Sequence, residues 1–431
     1  MSENNGTLKR NEPSPLYRWI VLIFISLAMF GNYYVYDSIA PIADMLKADL
    51  GFTDTNIGQL YSFYSIAAII VLILGGIIID RYGTKKSILL FGVISTVAAV
   101  ITASSSNLNI MLAGRFLLGI GSEPLIVAVT TALAKWFKGK ELSFAFGINL
   151  TIARLGSVAA DNSPTLAKPL YDYWQEPLFL AAVLSLFCIV GAAVYYGLEK
   201  SAEKKYSLGS EGEVDKLVLS DLFKFSSSFW FIVGLCLTFY SAIFPFRTFA
   251  IKYFMEAHGS TRELAGFLNS VLPFSAMIAT PLFGLLVDKV GKRTLLMIFG
   301  SILLIPVYLM MAYSGWSLYI PISIMGIAFS LIPAVMWPSV AYIVDSKRLG
   351  TAYSVMTLIQ QIGLFGINWL IGSVNDVAGA SAANPAGYNY GMWIFSSLGF
   401  LALFFAFMLR MSEKGKSGHG LEKSMAEMQA G

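Results

Sequence analysis

The chain has 431 residues, 56% of them hydrophobic and only 13% charged, with a mean hydropathy of +0.67 and a formal net charge of +4. That balance excludes an ordinary soluble enzyme and points to a chain that crosses a membrane many times. Cys188 and Cys236 both fall in apolar runs, and His258 and His419 in loop or tail, which excludes a disulfide framework and a helix-borne metal cluster.

The first apolar run begins near Tyr17, after the polar start MSENNGTLKRNEPSPL, and carries no small-residue cleavage pattern. It therefore reads as a retained helix rather than a signal peptide. Near its end come Asn32, Tyr33, Tyr36 and Asp37; Tyr33 and Asp37 are one turn apart and share a face. Further runs of spanning length begin near Asn56, Ser87, Asn109, Leu142, Pro177, Ser228, Leu264, Leu295, Leu318, Thr351 and Tyr390, which predicts twelve membrane helices. An even number puts both termini on one face, and 23 of the 30 lysines and arginines fall on that face. Lys47, Lys168, Lys252 and Arg262 fall on the other, and Arg115, Arg154 and Arg247 lie inside spans. The bias places both termini in the cytoplasm, and it accounts for the net positive charge without nucleic-acid binding.

After the second span and again after the eighth, the chain repeats itself. Gly76, Asp80, Arg81, Gly83 and Lys85 recur as Gly284, Asp288, Lys289, Gly291 and Arg293, each displaced by 208 residues. Matches at a single offset signal a duplicated half. A polar, charged stretch from Glu199 to Lys224 separates the copies, giving an N-tail (1–16), a six-helix unit (17–198), a linker (199–227), a second six-helix unit (228–411) and a C-tail (412–431).

Two ionisable residues stand at the middle of predicted spans. Glu123 lies 15 residues before Lys138, at the centre of a basic turn, and Arg154 lies 16 after it. At 1.5 Å per residue both sit roughly 22–24 Å from the same membrane face, level with each other near mid-bilayer. A charge at that depth costs at least ~2.5–3.5 kcal/mol, so such a pair marks a functional site unless it is a structural ion pair holding two helices together.

The spellings GIIIDRYGTKK and GLLVDKVGKRT resemble the loop signature of the major facilitator superfamily, and Arg115, Gly119 and Gly121 resemble its RxxxGxG pattern. The stretch GRFLLGIGSEPLIVAVTTALAKWFKGKELSFAFGINLTIARLGS is similar to a narrower branch, the lysosomal dipeptide transporters and their bacterial relatives, through GxGxE, WFKGKEL and ARxGS. The resemblance implies an all-α membrane protein with twelve transmembrane helices in two pseudo-symmetric six-helix bundles, working by alternating access. It also implies facilitated uniport of dipeptides, with Glu123 and Arg154 gripping the charged ends of the substrate. No reaction, cofactor or metal is expected, and the partners are a dipeptide and the lipid bilayer, with the chain a monomer. GINLTIARLGSVAADNSP lacks the GPxxGG run of the superfamily's drug antiporters, and no acidic dileucine stands before Tyr17. The expected address is therefore a bacterial inner membrane.

Other polar groups in the spans have two readings each. Asp37 and Arg115 form either a gate or structural pair, or a proton-coupling pair. Tyr240, Phe244 and Arg247 share one face of the seventh helix, and Arg247, 19 residues from Ser228 and hence roughly 28 Å along the helix, binds a substrate carboxylate or serves an outer gate. Trp337, between Pro333 and Pro338, floors a pocket or simply packs. Gln361 belongs to a stripe with Ser354, Thr357 and Asn368 that meets a peptide amide or a neighbouring helix. Substrate candidates are thus Glu123, Arg154, Tyr33, Tyr36, Arg247, Trp337 and Gln361; gating or coupling candidates are Asp37, Arg115, Asp80, Arg81, Asp288 and Lys289. The rival functions are a proton-coupled carrier of another organic anion or amino acid, and a membrane receptor or scaffold without transport.

Overall fold

A computed structural model describes residues 13–137, 141–206, 224–345, 348–414, 418–424 and 427, and leaves out the side chains of 73–77, 80 and 143. Twelve long helices run through the described residues: α1 Pro15–Asp37, α2 Asp54–Tyr82, α3 Thr84–Ala103, α4 Leu108–Phe137, α5 Leu142–Asp161 and α6 Gln175–Lys205, then α7 Ser227–His258, α8 Arg262–Val290, α9 Arg293–Tyr313, α10 Tyr319–Ile343, α11 Leu349–Val377 and α12 Asn389–Glu413. Each begins within three residues of the expected place. Among the described residues, eleven of them are long and apolar enough to cross a membrane. Local chemistry sets the starts: the Ser14, Ser226 and Thr261 side chains accept a backbone N–H in the first turn of α1, α7 and α8, and Thr53 with Asn56 forms a capping box at α2.

Within the first six helices, α4 packs on α2 and α3, and α1 on α5 and α6; within the second, α12 packs on α7 and α9, and α10 on α8 and α9. The two sets meet chiefly along α2 with α11 and α5 with α8. Shifting each helix by six positions exchanges those two contacts, which is the pseudo-twofold relation that the internal repeat predicts. The α6 helix runs on to Lys205, so the first part of the expected linker is helix, held by Glu199, which is 1% exposed and accepts from Lys135, Trp136 and Thr84. Residues 207–223 of the linker lie outside the described part.

The end of the bundle where α1 begins and α12 ends is called the tail end, and the opposite one the far end. The hydrogen bonds and ion pairs joining the two sets, among the described residues, run from mid-height to the far end. Arg247 Nη1 and Nη2 lie 3.3 and 2.7 Å from Asp37 and Asp161, and Asn269 donates to Asp161 at 2.7 Å. Lys252 Nζ lies 2.9 Å from Asp54, and Arg262 meets Asp44 at 2.5 Å. Asp376 accepts the backbone N–H groups of Asp54 (2.8 Å) and Thr55 (2.7 Å), a carboxylate seated on the N-terminus of α2. The protein is thus bolted shut at its far end.

Candidate functional site

Between the bolted far end and the tail end lies a cavity of ≈ 270 Å³, of the order of a small-ligand pocket. The first set contributes Asn32, Tyr33, Tyr36 and Asp37 from α1, Tyr64 from α2, Ser122, Glu123 and Ile126 from α4, and Arg154 from α5. The second set contributes Tyr240 and Phe244 from α7, Trp337 from α10, and Thr357, Gln360, Gln361 and Leu364 from α11.

Close helix approach seats the two midplane charges. A Cβ at Gly119 would meet the Tyr64 carbonyl oxygen at 2.3 Å, so glycine there lets α4 press onto α2 and brings the Tyr64 hydroxyl to Glu123. A Cβ at Gly156 would likewise meet the Phe30 carbonyl oxygen at 2.3 Å; glycine lets α5 lie against α1, and Arg154, two residues earlier, reaches the Tyr33 ring. The Arg154 guanidinium sits 5.5 Å from the Tyr33 ring centroid and 5.6 Å from that of Phe329, sandwiched without a hydrogen-bond or ion-pair partner among the described residues. Glu123 accepts from the Tyr64 hydroxyl (2.8 Å) and Gln361 Nε2 (2.9 Å), both at Oε1. Its Oε2 carries no partner among the described residues. Glu123 and Arg154 therefore share a cavity without forming an ion pair with each other, which removes the structural-pair reading.

The other candidates divide. Tyr33, Tyr36, Trp337 and Gln361 line the cavity with them. Arg247 does not: it is 3% exposed and its guanidinium is spent on Asp37 and Asp161, which corrects its expected place on the substrate carboxylate. Arg115 is not the partner of Asp37. It is 1% exposed and donates to the carbonyls of Val35, Tyr36 and Leu60, each at 3.1 Å, with the Tyr61 ring 4.9 Å away. A cation on the last carbonyls of α1 offsets the negative end of that helix, so Arg115 is a fixture of the first set. Asp37 faces the cavity and touches Arg247. Lys252, expected beyond the span, is buried in α7.

Of the repeated loop, Arg81 and Lys289 are exposed at the tail end, and Asp288 lies 3.6 Å from the buried Arg293. The Asp80 side chain lies outside the described residues. The α8–α9 loop also receives the C-tail: Arg293 N donates to Leu421 O and Arg293 Nη1 to Lys423 O. Sequence reasoning missed Asp161, Asn269 and Tyr64. Asp161 carried the same signal as Glu123, an acid in a span; a tyrosine in a chain with 21 of them carried none.

Comparison with known proteins adds the following. The family model described as Major Facilitator Superfamily matches residues 25–363 and 244–427. The lysosomal dipeptide transporter MFSD1 of Danio rerio is 36% identical over 381 residues, covering 84% of this chain and 82% of the relative; MFSD1 of Homo sapiens is 33% identical over 390 residues, covering 85% and 82%. The crystal structure of a single-residue mutant of the nucleoside transporter NupG superposes with a TM-score of 0.72 at 14% identity, covering 90% of this chain and 99% of that one.

Proposed function

The chain belongs to the major facilitator superfamily, and from that premise we propose that it carries dipeptides, gripping both charged ends at mid-membrane. It is a membrane transporter with no catalysed reaction, and alternating access is the mode its fold implies. The observation that carries the dipeptide reading is the unpartnered Arg154 facing the same cavity as Glu123. A dipeptide at neutral pH is a zwitterion, and both its ends need a counter-charge away from bulk water. The planar fork of Arg154 suits a carboxylate, and the free Oε2 of Glu123 suits an ammonium. MFSD1 relatives, whose names give the dipeptide substrate, support the same class.

In this reading 17–198 and 228–411 rock against each other as two units, and the chain sits in an inner membrane as a monomer with both termini cytoplasmic, so the bolted far end faces outward. Asp80 and Asp288 then serve the gate at the tail end, which forms when the far end opens.

The test is thermal-shift titration of the purified protein, followed by flux into liposomes. A free dipeptide such as Gly-Gly is expected to stabilise the protein, and the same dipeptide N-acetylated or C-amidated is not. Glu123→Gln or Arg154→Ala leaves a substrate end buried and unpaired, a loss on the order of 3–5 kcal/mol, so uptake nearly vanishes. A doubly blocked dipeptide that stabilises as well as the free one overturns the two-ended grip.

A further inference from the structure

The charges of the cavity are not shared between its two walls. Asp37, Glu123 and Arg154 all come from the first set, whereas the second set lines its wall with uncharged groups only, Tyr240, Phe244 and Trp337 foremost. Several polar atoms of that wall are used up within the protein, while Gln361 Oε1 has no partner among the described residues. Trp337 Nε1 donates to the Tyr240 hydroxyl at 2.9 Å, Thr357 Oγ1 donates to the Tyr353 carbonyl at 3.0 Å, and Gln361 Nε2 is spent on Glu123. The largest surface this wall turns to the cavity is aromatic, flanked by the Gln360 and Gln361 amides. Tyr240 and Phe244 lie tilted with ring centroids 5.6 Å apart, Phe329 stands edge-on to Phe244 at 5.9 Å, and Tyr353 backs Trp337 at 5.9 Å.

We propose that this wall of Tyr240, Phe244 and Trp337 is the side-chain subsite of the carrier, and that it takes large apolar and aromatic dipeptide side chains in preference to acidic ones. The proposal rests on the two-ended grip. With the backbone termini held on α4 and α5, the side chains of the substrate turn to the opposite wall. Aromatic faces supported from behind give area to bury and no donor to satisfy. An acidic side chain finds no second cation there: Arg154 is the only cation among the cavity-lining residues, and it is taken by the C-terminal carboxylate. A second carboxylate also faces Glu123, Asp37 and the negative faces of the rings.

The experiment is competition binding and thermal shift on the full-length protein with Gly-Gly, Phe-Ala, Ala-Ala and Glu-Ala, in the wild type and in Trp337→Ala, Tyr240→Ala and Trp337→Phe. Wild type should bind Phe-Ala about tenfold or more tighter than Gly-Gly, as burial of a phenyl group against an apolar wall implies, and Glu-Ala more weakly than Ala-Ala. Trp337→Ala and Tyr240→Ala should bring the Phe-Ala to Gly-Gly ratio towards one, the loss falling on Phe-Ala. Trp337→Phe should keep most of the ratio and so report that the site still folds. A ratio that survives both alanine variants overturns the subsite, as does Glu-Ala binding as well as Phe-Ala. If no dipeptide, Gly-Gly included, stabilises the wild type, it is the two-ended grip that has failed.

Discussion

Arg247 is the sharpest place to perturb the cycle, because it holds two carboxylates of the other set and, of the cavity lining, bonds only to Asp37 among the described residues. In Arg247→Gln, Asp37 and Asp161 remain at 5% and 0% exposure with their cation gone. Breaking a buried pair in this way costs about 3–5 kcal/mol. The protein recovers most of that cost by parting the sets and hydrating the acids, so the penalty falls on the far-end-closed state alone. At 1.4 kcal/mol per factor of ten, the equilibrium moves by roughly 10² to 10³·⁵ towards the far-end-open state. Spin labels at the exposed Ala48 and Thr261, which flank the bolt on opposite sets, read the change by double electron–electron resonance. A longer distance population should dominate in the variant, flux should fall, and Gly-Gly should still stabilise the protein. Adding Asp161→Asn should restore part of the short population by leaving fewer stranded charges. An unchanged distance distribution refutes the bolt. Loss of Gly-Gly binding with unchanged distances returns Arg247 to the substrate.

Three further perturbations follow from the same geometry. Lys252→Met takes from the fully buried Asp54 its nearer cation and leaves it Lys47 at 3.5 Å; the far-end labels should separate, though less than for Arg247→Gln, and a stability loss without separation places this pair in packing instead. Gly156→Ala forces α5 off the Phe30 carbonyl and should cost about 1–3 kcal/mol of stability, read as a lower melting temperature together with weaker dipeptide binding; a normal melt with normal binding would show that the close approach is not what seats Arg154. Gln361→Leu removes a donor from Glu123, a bond to a charged group worth about 1.5–3 kcal/mol, so the melting temperature should fall while Gly-Gly affinity stays within a few fold, and a tenfold loss of Gly-Gly affinity would mean that the grip needs the second set.

Much of this arrangement is legible in the sequence, for physical reasons. Spanning helices announce themselves because lipid tolerates no unpaired backbone, and the repeated loop fixes the halves through one offset. Glu123 and Arg154 stand out because charge at mid-membrane is costly. Partners are harder. That Arg115 serves carbonyls and Arg247 serves Asp37 depends on which helices cross at the far end, and no spacing along one chain reports a contact between α1, α5 and α7. The same one-dimensional limit put Lys252 beyond the membrane: besides the nearby Glu256, its ammonium meets Asp54, nearly 200 residues away, and Tyr388.

The duplication that built the fold did not duplicate the chemistry. Displaced by 208 residues, Glu123 corresponds to Leu331 and Arg154 to Ile362, and neither mate is charged. A dipeptide has a direction, amine to carboxylate, and one asymmetric pair on one set suffices to hold it. In the proposed reading the grip travels with α1–α6 while α7–α12 swing across it, so the charged contacts persist in both end states and the aromatic contacts do not. This has a measurable consequence. In Arg247→Gln, where the far end is expected to open, Gly-Gly affinity should stay within a few fold of wild type, whereas the advantage of Phe-Ala over Gly-Gly should shrink because the wall of Tyr240, Phe244 and Trp337 has been repositioned. Paired titrations of the two dipeptides on wild type and variant measure both quantities at once. If Gly-Gly affinity collapses while the Phe-Ala ratio is kept, the grip spans the two sets and does not ride on one of them.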